Sequence, residues 1–359
     1  MKMRVIDFGM QSALRSQAVY HGLAETITDK SLPILSLVSP EAPYVCVGMH
    51  QDISKEVDEA YCQAQGLSIY RRHVGGGAVY LDKNQLFTHF IFPKAKVPSH
   101  ASELYPMFIE PVVRTYQEYG VNAAYRPVND IHVDGRKIGG TGAASIGDAT
   151  LMVGSFMLDF DIETMALCLK VPSEKFRDKL RQGLNDYMTT MIKQLGSLPD
   201  RAELKERFLK HCAACLNVEP FWDEPTEAEW QAIAKAEEEL TDPDWTYVQH
   251  RKLVAMGVKI SAETHLTEAA HKAPGGLIRA NLLGREGRIA DLLLSGDFTC
   301  LPPQAIDELG ASLRGEALEP QGLEAAIARE IARINMELPG ISPADLTTAI
   351  MAASVAEGA

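Results

Sequence analysis

The segment of residues 129–144, NDIHVDGRKIGGTGAA, constrains the fold more tightly than its neighbours do. Its Asp134-Gly135 dipeptide lies between two runs in which apolar and polar residues alternate. An Asp-Gly pair in this setting is a strong signal for a β-hairpin, because the favoured two-residue turn needs positive φ at both central positions. The sequence therefore predicts two antiparallel strands, with Lys137 near the start of the second one.

The same segment carries groups that suit a nucleotide. Mg²⁺ takes one or two carboxylates plus phosphate oxygens, a lysine suits a phosphate as a point charge, and glycines leave room for a flat ring. The residues of these types in the segment are Asn129, Asp130, Arg136, Lys137, Gly139, Gly140 and Gly142. The spacing follows neither the phosphate-loop nor the dinucleotide pattern. Taken alone, the segment predicts either a nucleotide site or a hairpin with exposed charges.

A second glycine-rich segment, residues 71–82 with the sequence RRHVGGGAVYLD, places two arginines before three consecutive glycines. Glycines expose backbone N–H groups and let the chain approach a ligand closely, while arginines supply the positive charge that an anion needs. We predict a carboxylate- or phosphate-binding loop formed by Arg71, Arg72, Gly75, Gly76, Gly77 and Ala78. A tight turn with exposed arginines is the alternative that this segment leaves open.

Composition limits the classes of partner. The chain has 35 basic and 48 acidic residues, so its net charge of −13 repels nucleic acid and anionic membrane surfaces. No apolar run approaches the ~18 residues that a membrane span requires, and the start has no apolar core of signal-peptide length. The six cysteines are too scattered for a disulfide framework. We expect a cytoplasmic protein that binds neither nucleic acid nor membrane.

The length of 359 residues predicts two domains. We place the boundary near Tyr247, which gives domains of residues 1–247 and 248–359. The acidic stretch of residues 221–245 is predicted to form one solvated helix that bridges them. Beyond it, residues 276–298 predict two strands around a Glu-Gly turn, and helical stretches follow to the end.

The order of these motifs resembles one family. The pattern RR-x-x-GGGAVY, then ND-x-x-V-x-GRKI-x-G, then G-S-x-x-L-D is similar to that of the lipoate-protein ligase A family, in the biotin and lipoyl protein ligase superfamily. The resemblance extends over residues 15–333. It implies an α/β (α+β) fold, in which a large biotin/lipoyl-ligase-like catalytic domain with mixed sheets and flanking helices precedes a small C-terminal α/β accessory domain with a helical tail.

The resemblance also implies a reaction and its residues. Lipoate or octanoate would be activated by ATP and Mg²⁺ to an acyl-AMP, and the acyl group would pass to a lysine of an acceptor protein. The acceptor would be a 2-oxoacid dehydrogenase E2 subunit, the glycine-cleavage H protein or another lipoate-binding carrier. Lys137 would be catalytic, and Arg72 would close the glycine loop over the acid. Asn129 and Asp130 would hold the nucleotide, with Asp130 a ligand of Mg²⁺.

The sequence departs from the family pattern at two positions, and it leaves three other functions possible. Leu81 and Val153 stand where the family often has histidine. An octanoyl or lipoyl transferase of the same fold would need a reactive thiolate, but no cysteine lies between Cys62 and Cys168. A non-catalytic lipoyl-domain binder would not need the phosphate-binding residues, and a biotin ligase would show a different glycine-arginine signature. We interpret His73, His89 and His132 as structural or surface residues.

Overall fold

The computed structural model describes residues 1–257 and 265–355 and divides into two compact units. The first unit comprises Met1–Cys46, Val57–Tyr70 and Val79–Asp242. The second comprises Val47–Glu56, Arg71–Ala78 and Pro243–Ala359. Two short segments from the first third of the chain therefore group with the C-terminal part, and the boundary near Tyr247 stays a prediction.

An eight-stranded mixed sheet forms the centre of the first unit. Its strands are β1 (Lys2–Gln11), β2 (Ile34–Pro40), β6 (Gln85–Pro93), β7 (Ala123–Arg126), β8 (Asp130–Val133), β9 (Arg136–Ile146), β10 (Ala149–Met157) and β11 (Glu219–Trp222), in the order β11-β1-β2-β6-β10-β9-β8-β7. β1 runs parallel to β11 and β2, and the other neighbours are antiparallel. A smaller sheet has the order β4-β3-β5, with β3 (Tyr44–Val47), β4 (Ser68–Arg71) and β5 (Val79–Leu81). The predicted mixed α/β fold is confirmed.

Every residue of β2 and β6 is buried, which explains their nearly continuous apolar sequences. His89 lies within β6, and its Nδ1 forms a 2.8 Å hydrogen bond with Ser36 Oγ on β2. Burial lowers the pKa of His89 to about 3, so the ring is neutral at pH 7. His89 is therefore part of the core.

The helices up to Gly257 are distributed over both units. They are α1 (Ala13–Glu25), α2 (Ile53–Glu56), α3 (Glu59–Ala64), α4 (Ala101–Glu118), α5 (Ile162–Cys168), α6 (Glu174–Tyr187), α7 (Met191–Leu195), α8 (Arg201–Leu216), α9 (Glu227–Thr241), α10 (Pro243–Thr246) and α11 (Val248–Gly257). α9 begins with a capping box formed by Thr226 and Glu229.

The packing of α9 differs from the prediction. Ile233, Ala236 and Leu240 are buried on one face of the helix, which lies within the first unit and packs against α1. A Cβ on Gly22 of α1 would come within 2.4 Å of the backbone N of Ile233, so the two helices approach closely. The prediction of a solvated helix that bridges two domains is wrong, because the high acidic content obscured an apolar stripe at helical spacing.

The second unit contains an antiparallel sheet formed by β12 (His265–Ala273), β13 (Gly276–Arg285) and β14 (Arg288–Gly296). The predicted turn is confirmed, since Glu286 and Gly287 have φ values of 50° and 70°. β12 was not predicted. The C-terminal helices are α12 (Ala305–Ser312), α13 (Pro320–Arg333) and α14 (Pro343–Val355). Their apolar faces share a core with the sheet that includes Ile278, Leu323 and Ile350.

None of the helices in the described ranges is long and apolar enough to cross a membrane.

Candidate functional site

The hairpin predicted around Asp134 and Gly135 is present. These residues have φ values of 50° and 78° and connect β8 to β9. Asp130 pairs with Gly140, and after a register shift His132 pairs with Lys137. This register brings Lys137 Nζ within 2.7 Å of Asp130 Oδ1.

The Lys137 and Asp130 side chains are both accessible to a ligand, with exposed fractions of 28% and 20%. A Cβ on Gly140 would lie 2.9 Å from Lys137 Nζ and 3.6 Å from Asp130 Oδ1. The absence of a side chain at Gly140 therefore leaves the space that the ion pair occupies. Gly139 is buried and pairs with Ile131 on β8. A partly exposed ammonium group and a partly exposed carboxylate on paired strands can each bind a group of opposite charge.

Asn129 is held at the entrance to β8. Its side-chain amide donates to Thr141 O at 2.6 Å, and Thr141 N donates to Asn129 O at 2.9 Å. The hydroxyl of Thr141 also donates to Asn129 O, at 3.0 Å. These bonds fix the residue that precedes Asp130, so the hairpin brings Asn129, Asp130, Lys137, Gly139 and Gly140 together as one group.

The second carboxylate oxygen of Asp130 has a partner outside the hairpin. Tyr187 at the end of α6 donates its hydroxyl to Asp130 Oδ2 at 3.1 Å. Partial burial raises the pKa of Tyr187 and the nearby Asp130 charge raises it further, so the hydroxyl stays protonated and can donate. His132 is buried and packs edge-on against the Tyr187 ring, with a centroid distance of 5.6 Å. The buried position of His132 agrees with its interpretation as a structural residue.

Asp130 fits Mg²⁺ as a single carboxylate ligand. In residues 1–257 and 265–355, no group of three or more His, Cys, Asp or Glu side chains could hold a metal ion. Mg²⁺ commonly binds one or two carboxylates and takes its other ligands from phosphates and water. The site therefore suits Mg²⁺ that arrives with a nucleotide.

Arg71 has a different environment from the one predicted. Its side chain is completely buried and donates to Gly48 O, Gln51 O and Thr246 O at 2.7 to 3.0 Å, and to Met49 O at 3.1 Å. Buried carbonyl groups need such donors, and a guanidinium group can serve several of them. In this structure Arg71 orders the backbone of residues 48–51 and does not present its charge to a ligand.

Arg72 lies beside the glycine loop that follows it. Its Nη2 donates to Gly75 O and to Gly77 O, both at 2.8 Å, so the guanidinium group holds the loop in a curve. Gly76 N donates to Phe298 O at 3.1 Å, and a Cβ on Gly75 would lie 2.4 Å from the same carbonyl oxygen. Only glycine fits at position 75. Ala78 is partly buried and lies immediately before β5.

The two predicted clusters fall in different units. The Asn129, Asp130 and Lys137 group belongs to the first unit, and the Arg71 to Ala78 loop belongs to the second. Sequence analysis did not identify Tyr187, which lies 50 positions after Lys137 in a charged helix. No local pattern could have pointed to it, because its contact with Asp130 depends on how α6 packs.

Five of the six cysteines are buried. Cys46, Cys62, Cys168, Cys212 and Cys300 are buried, and Cys215 is intermediate. Burial raises the pKa of Cys62, Cys212 and Cys215, and it raises the pKa of Cys168 and Cys300 to about 12. A thiol with a raised pKa is a poor nucleophile at neutral pH because little thiolate forms.

Comparison with known families and sequences finds related enzymes. The family model of the lipoyl protein ligase A/B catalytic domain matches residues 12–213, more than half of the chain. Lipoate-protein ligase LplJ of Bacillus subtilis is 27% identical over 261 residues, which cover 71% of this chain and 73% of that protein. Octanoyltransferase LipM of Kyrpidia tusciae is 27% identical over 243 residues, which cover 60% of this chain and 87% of the transferase.

Three solved structures share the fold. A chain from the lipoylation system of Thermoplasma acidophilum, a bipartite lipoate protein ligase with its E2 lipoyl domain, has a TM-score of 0.64 and 22% identity over 69% of this chain and 97% of its own. Lipoate-protein ligase A bound with ATP has a TM-score of 0.61 and 20% identity over 69% of this chain and 100% of its own. LipL1 of P. falciparum in complex with lipoate has a TM-score of 0.70 and 16% identity over 98% of this chain and 99% of its own.

Proposed function

We propose that this chain, which belongs to the lipoyl protein ligase A/B catalytic domain family, is an ATP-dependent lipoate-protein ligase. It activates lipoate or octanoate as an acyl-AMP and transfers the acyl group to a lysine of an acceptor protein. The observation that carries this proposal is the partly exposed pair of Lys137 and Asp130 on the β8–β9 hairpin, with Nζ 2.7 Å from Oδ1. A cation beside a carboxylate suits a reaction that combines an acid with a nucleotide.

Lys137 supplies the charge that the chemistry needs. When the carboxylate of the acid attacks the α-phosphate, negative charge accumulates on oxygens at the reacting centre, and a preorganised ammonium group stabilises it. In the second step the acceptor amine attacks the acyl carbon, and AMP leaves. Lys137 stays close to the phosphate in both steps, so one residue serves both halves of the reaction.

Asp130 and Asn129 would hold the nucleotide end of the site. Mg²⁺, when bound, neutralises charge on the phosphates, and Asp130 would be its protein ligand. The Lys137 ammonium group, which is paired with Asp130 Oδ1 in this structure, would contact the substrates.

The acid would lie against the loop of Arg72, Gly75, Gly76, Gly77 and Ala78. Gly76 and Gly77 are partly exposed, and residues without side chains let an anion approach the backbone closely. Arg71 would act on this part of the site indirectly, because its buried guanidinium group orders residues 48–51. The proposed acceptor is a lipoyl domain or a similar carrier, in line with the E2 lipoyl domain that accompanies the Thermoplasma ligase.

The main alternative is a transferase that carries the acyl group on cysteine and uses no ATP. The similarity to LipM favours it, since LipM is an octanoyltransferase. The environment of the thiols favours the ligase, because burial raises the pKa of Cys168 to about 12 and of Cys62 above its usual value. A thioester mechanism needs a nucleophilic thiolate next to the site.

An acceptor assay tests the proposal. A purified lipoyl domain is incubated with the protein in two ways: with lipoate and Mg-ATP, or with an octanoyl-carrier thioester without ATP. Mass spectrometry then measures acylation of the domain. We expect acylation only with ATP, and we expect Cys168→Ala to retain it. Acylation from the thioester alone, lost in Cys168→Ala, would favour the transferase, and no acylation in either mixture would favour a non-catalytic binder.

A further inference from the structure

The segment that ends α6 is attached to the strand that carries Lys137. Thr189 N donates to Lys137 O at 2.8 Å, and Met188 forms an isolated parallel bridge with Lys137. Arg136 Nη2 donates to Met188 O at 2.7 Å and to Asn185 O at 3.0 Å. The backbone on both sides of Tyr187 is therefore fixed relative to the hairpin.

α6 lies at the surface, with Leu184 packed against the cluster of Met157, Ile162 and Met188. None of its residues is buried, and Tyr187 is 41% exposed. A tyrosine so placed contributes little to a core. The Tyr187 hydroxyl donates a hydrogen bond to Asp130 Oδ2, and Lys137 Nζ forms an ion pair with Asp130 Oδ1. Tyr187 therefore contacts one carboxylate oxygen, which also lies 3.6 Å from His132 Nε2, and Lys137 contacts the other.

Two partners on different oxygens fix the orientation of a carboxylate group. The terminal torsion of an aspartate is broad, so a single partner leaves the plane of the group free to turn. When Lys137 contacts the substrate, the Tyr187 hydroxyl keeps its 3.1 Å hydrogen bond to Asp130 Oδ2, which is shorter than the 3.6 Å distance from His132 Nε2 to the same oxygen. A preorganised group loses less free energy on binding than a mobile one.

We propose that Tyr187 is a positioning residue for this site, which holds Asp130 in the orientation that receives the nucleotide. The inference rests on the proposed function, because it assumes that Asp130 and Lys137 bind ATP. It adds a residue outside both sequence motifs. Tyr187 acts through Asp130 and does not itself contact the reacting atoms.

Binding measured by calorimetry tests this role separately from turnover. The probe is α,β-methylene ATP with Mg²⁺, which cannot be cleaved at the reacting bond. Removing the hydroxyl in Tyr187→Phe should weaken binding about 5-fold, as expected for one hydrogen bond to a charged group at a partly exposed position. The melting temperature should not change, because the ring is retained.

A matched control removes a hydroxyl elsewhere. Tyr119 OH is buried and has no hydrogen-bond partner in the described part of the chain, and its ring stacks on Arg207 at 4.6 Å. Tyr119→Phe deletes the same atom and should leave nucleotide affinity unchanged. A second control repeats Tyr187→Phe in an Asp130→Asn background, where its effect should fall below about 2-fold if the two residues act as a pair.

The outcomes separate the two proposals. If the wild-type protein binds nucleotide but Tyr187→Phe has the same affinity, the positioning role is overturned. The role is also overturned if Tyr187→Phe weakens binding equally in the wild-type and Asp130→Asn backgrounds. A wild-type protein that binds no nucleotide would overturn the proposed function and this inference with it. A loss in Tyr187→Phe that disappears with Asp130→Asn, and is absent in Tyr119→Phe, supports the role.

Discussion

At the scale of single residues, the central feature is the contact between Lys137 and Asp130. Sequence analysis grouped them because a hairpin turn lies between them, and the φ values of Asp134 and Gly135 confirm that turn. Turn chemistry is local, so it can be predicted from a dipeptide and its flanks. Tyr187 could not be predicted, since its contact depends on the packing of a distant helix. The burial of Arg71 could not be predicted either, because the sequence does not distinguish a buried arginine from an exposed one.

The first prediction concerns Lys137. Lys137→Ala should fold normally, because the side chain is partly exposed and lies outside the core. Its adenylation rate should fall by about 100-fold or more, since one preorganised charge contact contributes ~3 kcal/mol or more to the barrier. The assay is single-turnover formation of the acyl-AMP at saturating lipoate and Mg-ATP.

Lys235→Ala is the matched control for this change. Lys235 is an exposed residue on α9, so its loss removes the same charge without touching the hairpin. Adenylation by this variant should equal that of the wild type. Equal rates for Lys137→Ala and Lys235→Ala would contradict the assignment of Lys137.

At the scale of elements, apolar runs and turn residues predicted strands correctly, whereas the charge of a helix did not predict how that helix packs. The Glu286-Gly287 turn joins β13 to β14 as predicted, and these two strands contain the apolar residues of the predicted pair. The acidic helix was misread because its five glutamates were taken to indicate a helix exposed on every side. Ile233 and its helical neighbours nevertheless determine where α9 packs. Sequence position alone did not reveal that residues 71–78 group with the C-terminal unit.

The second prediction concerns the contact between α1 and α9. Gly22→Ala should destabilise the protein by about 1 to 3 kcal/mol, because the added methyl group would lie within 2.4 to 2.5 Å of backbone atoms of Ile233. Gly183→Ala in α6 is the control, since a Cβ there meets nothing within 4 Å. It should be neutral or stabilising by up to ~1 kcal/mol. Urea unfolding measures both changes, and equal stability of the two variants would show that the helices are not in close contact.

At the scale of the whole molecule, buried histidines link stability to pH. Burial lowers the pKa of His89 in the first unit and of His50 in the second to about 3. His50 also stacks on Phe298, with a centroid distance of 5.0 Å. Both rings are neutral in the folded protein, whereas in an unfolded chain they bind a proton near pH 6.5. Each unit therefore contains a group that destabilises the folded state as the pH falls below about 6.5.

The third prediction follows from this difference. The unfolded chain binds more protons between about pH 6.5 and 3, so stability is full above pH 6.5 and is lost as the pH falls towards 3. Each histidine should contribute a slope of up to ~1.4 kcal/mol per pH unit. Unfolding free energies from pH 7.5 to 5.0 test the slope before most carboxylates titrate. NMR that shows either imidazole protonated in the folded protein at pH 5 would contradict the prediction.

The fourth prediction tests the central claim, that Lys137 and Asp130 serve an ATP-dependent activation of lipoate. The protein is mixed with lipoate and Mg-ATP in the absence of any acceptor, and pyrophosphate release is measured. We predict about one equivalent of pyrophosphate per active site, with lipoyl hydroxamate formed when hydroxylamine is added, because the mixed anhydride stays in the site. No pyrophosphate with lipoate or octanoate, from a protein that nevertheless acylates a lipoyl domain from a thioester, would contradict the claim.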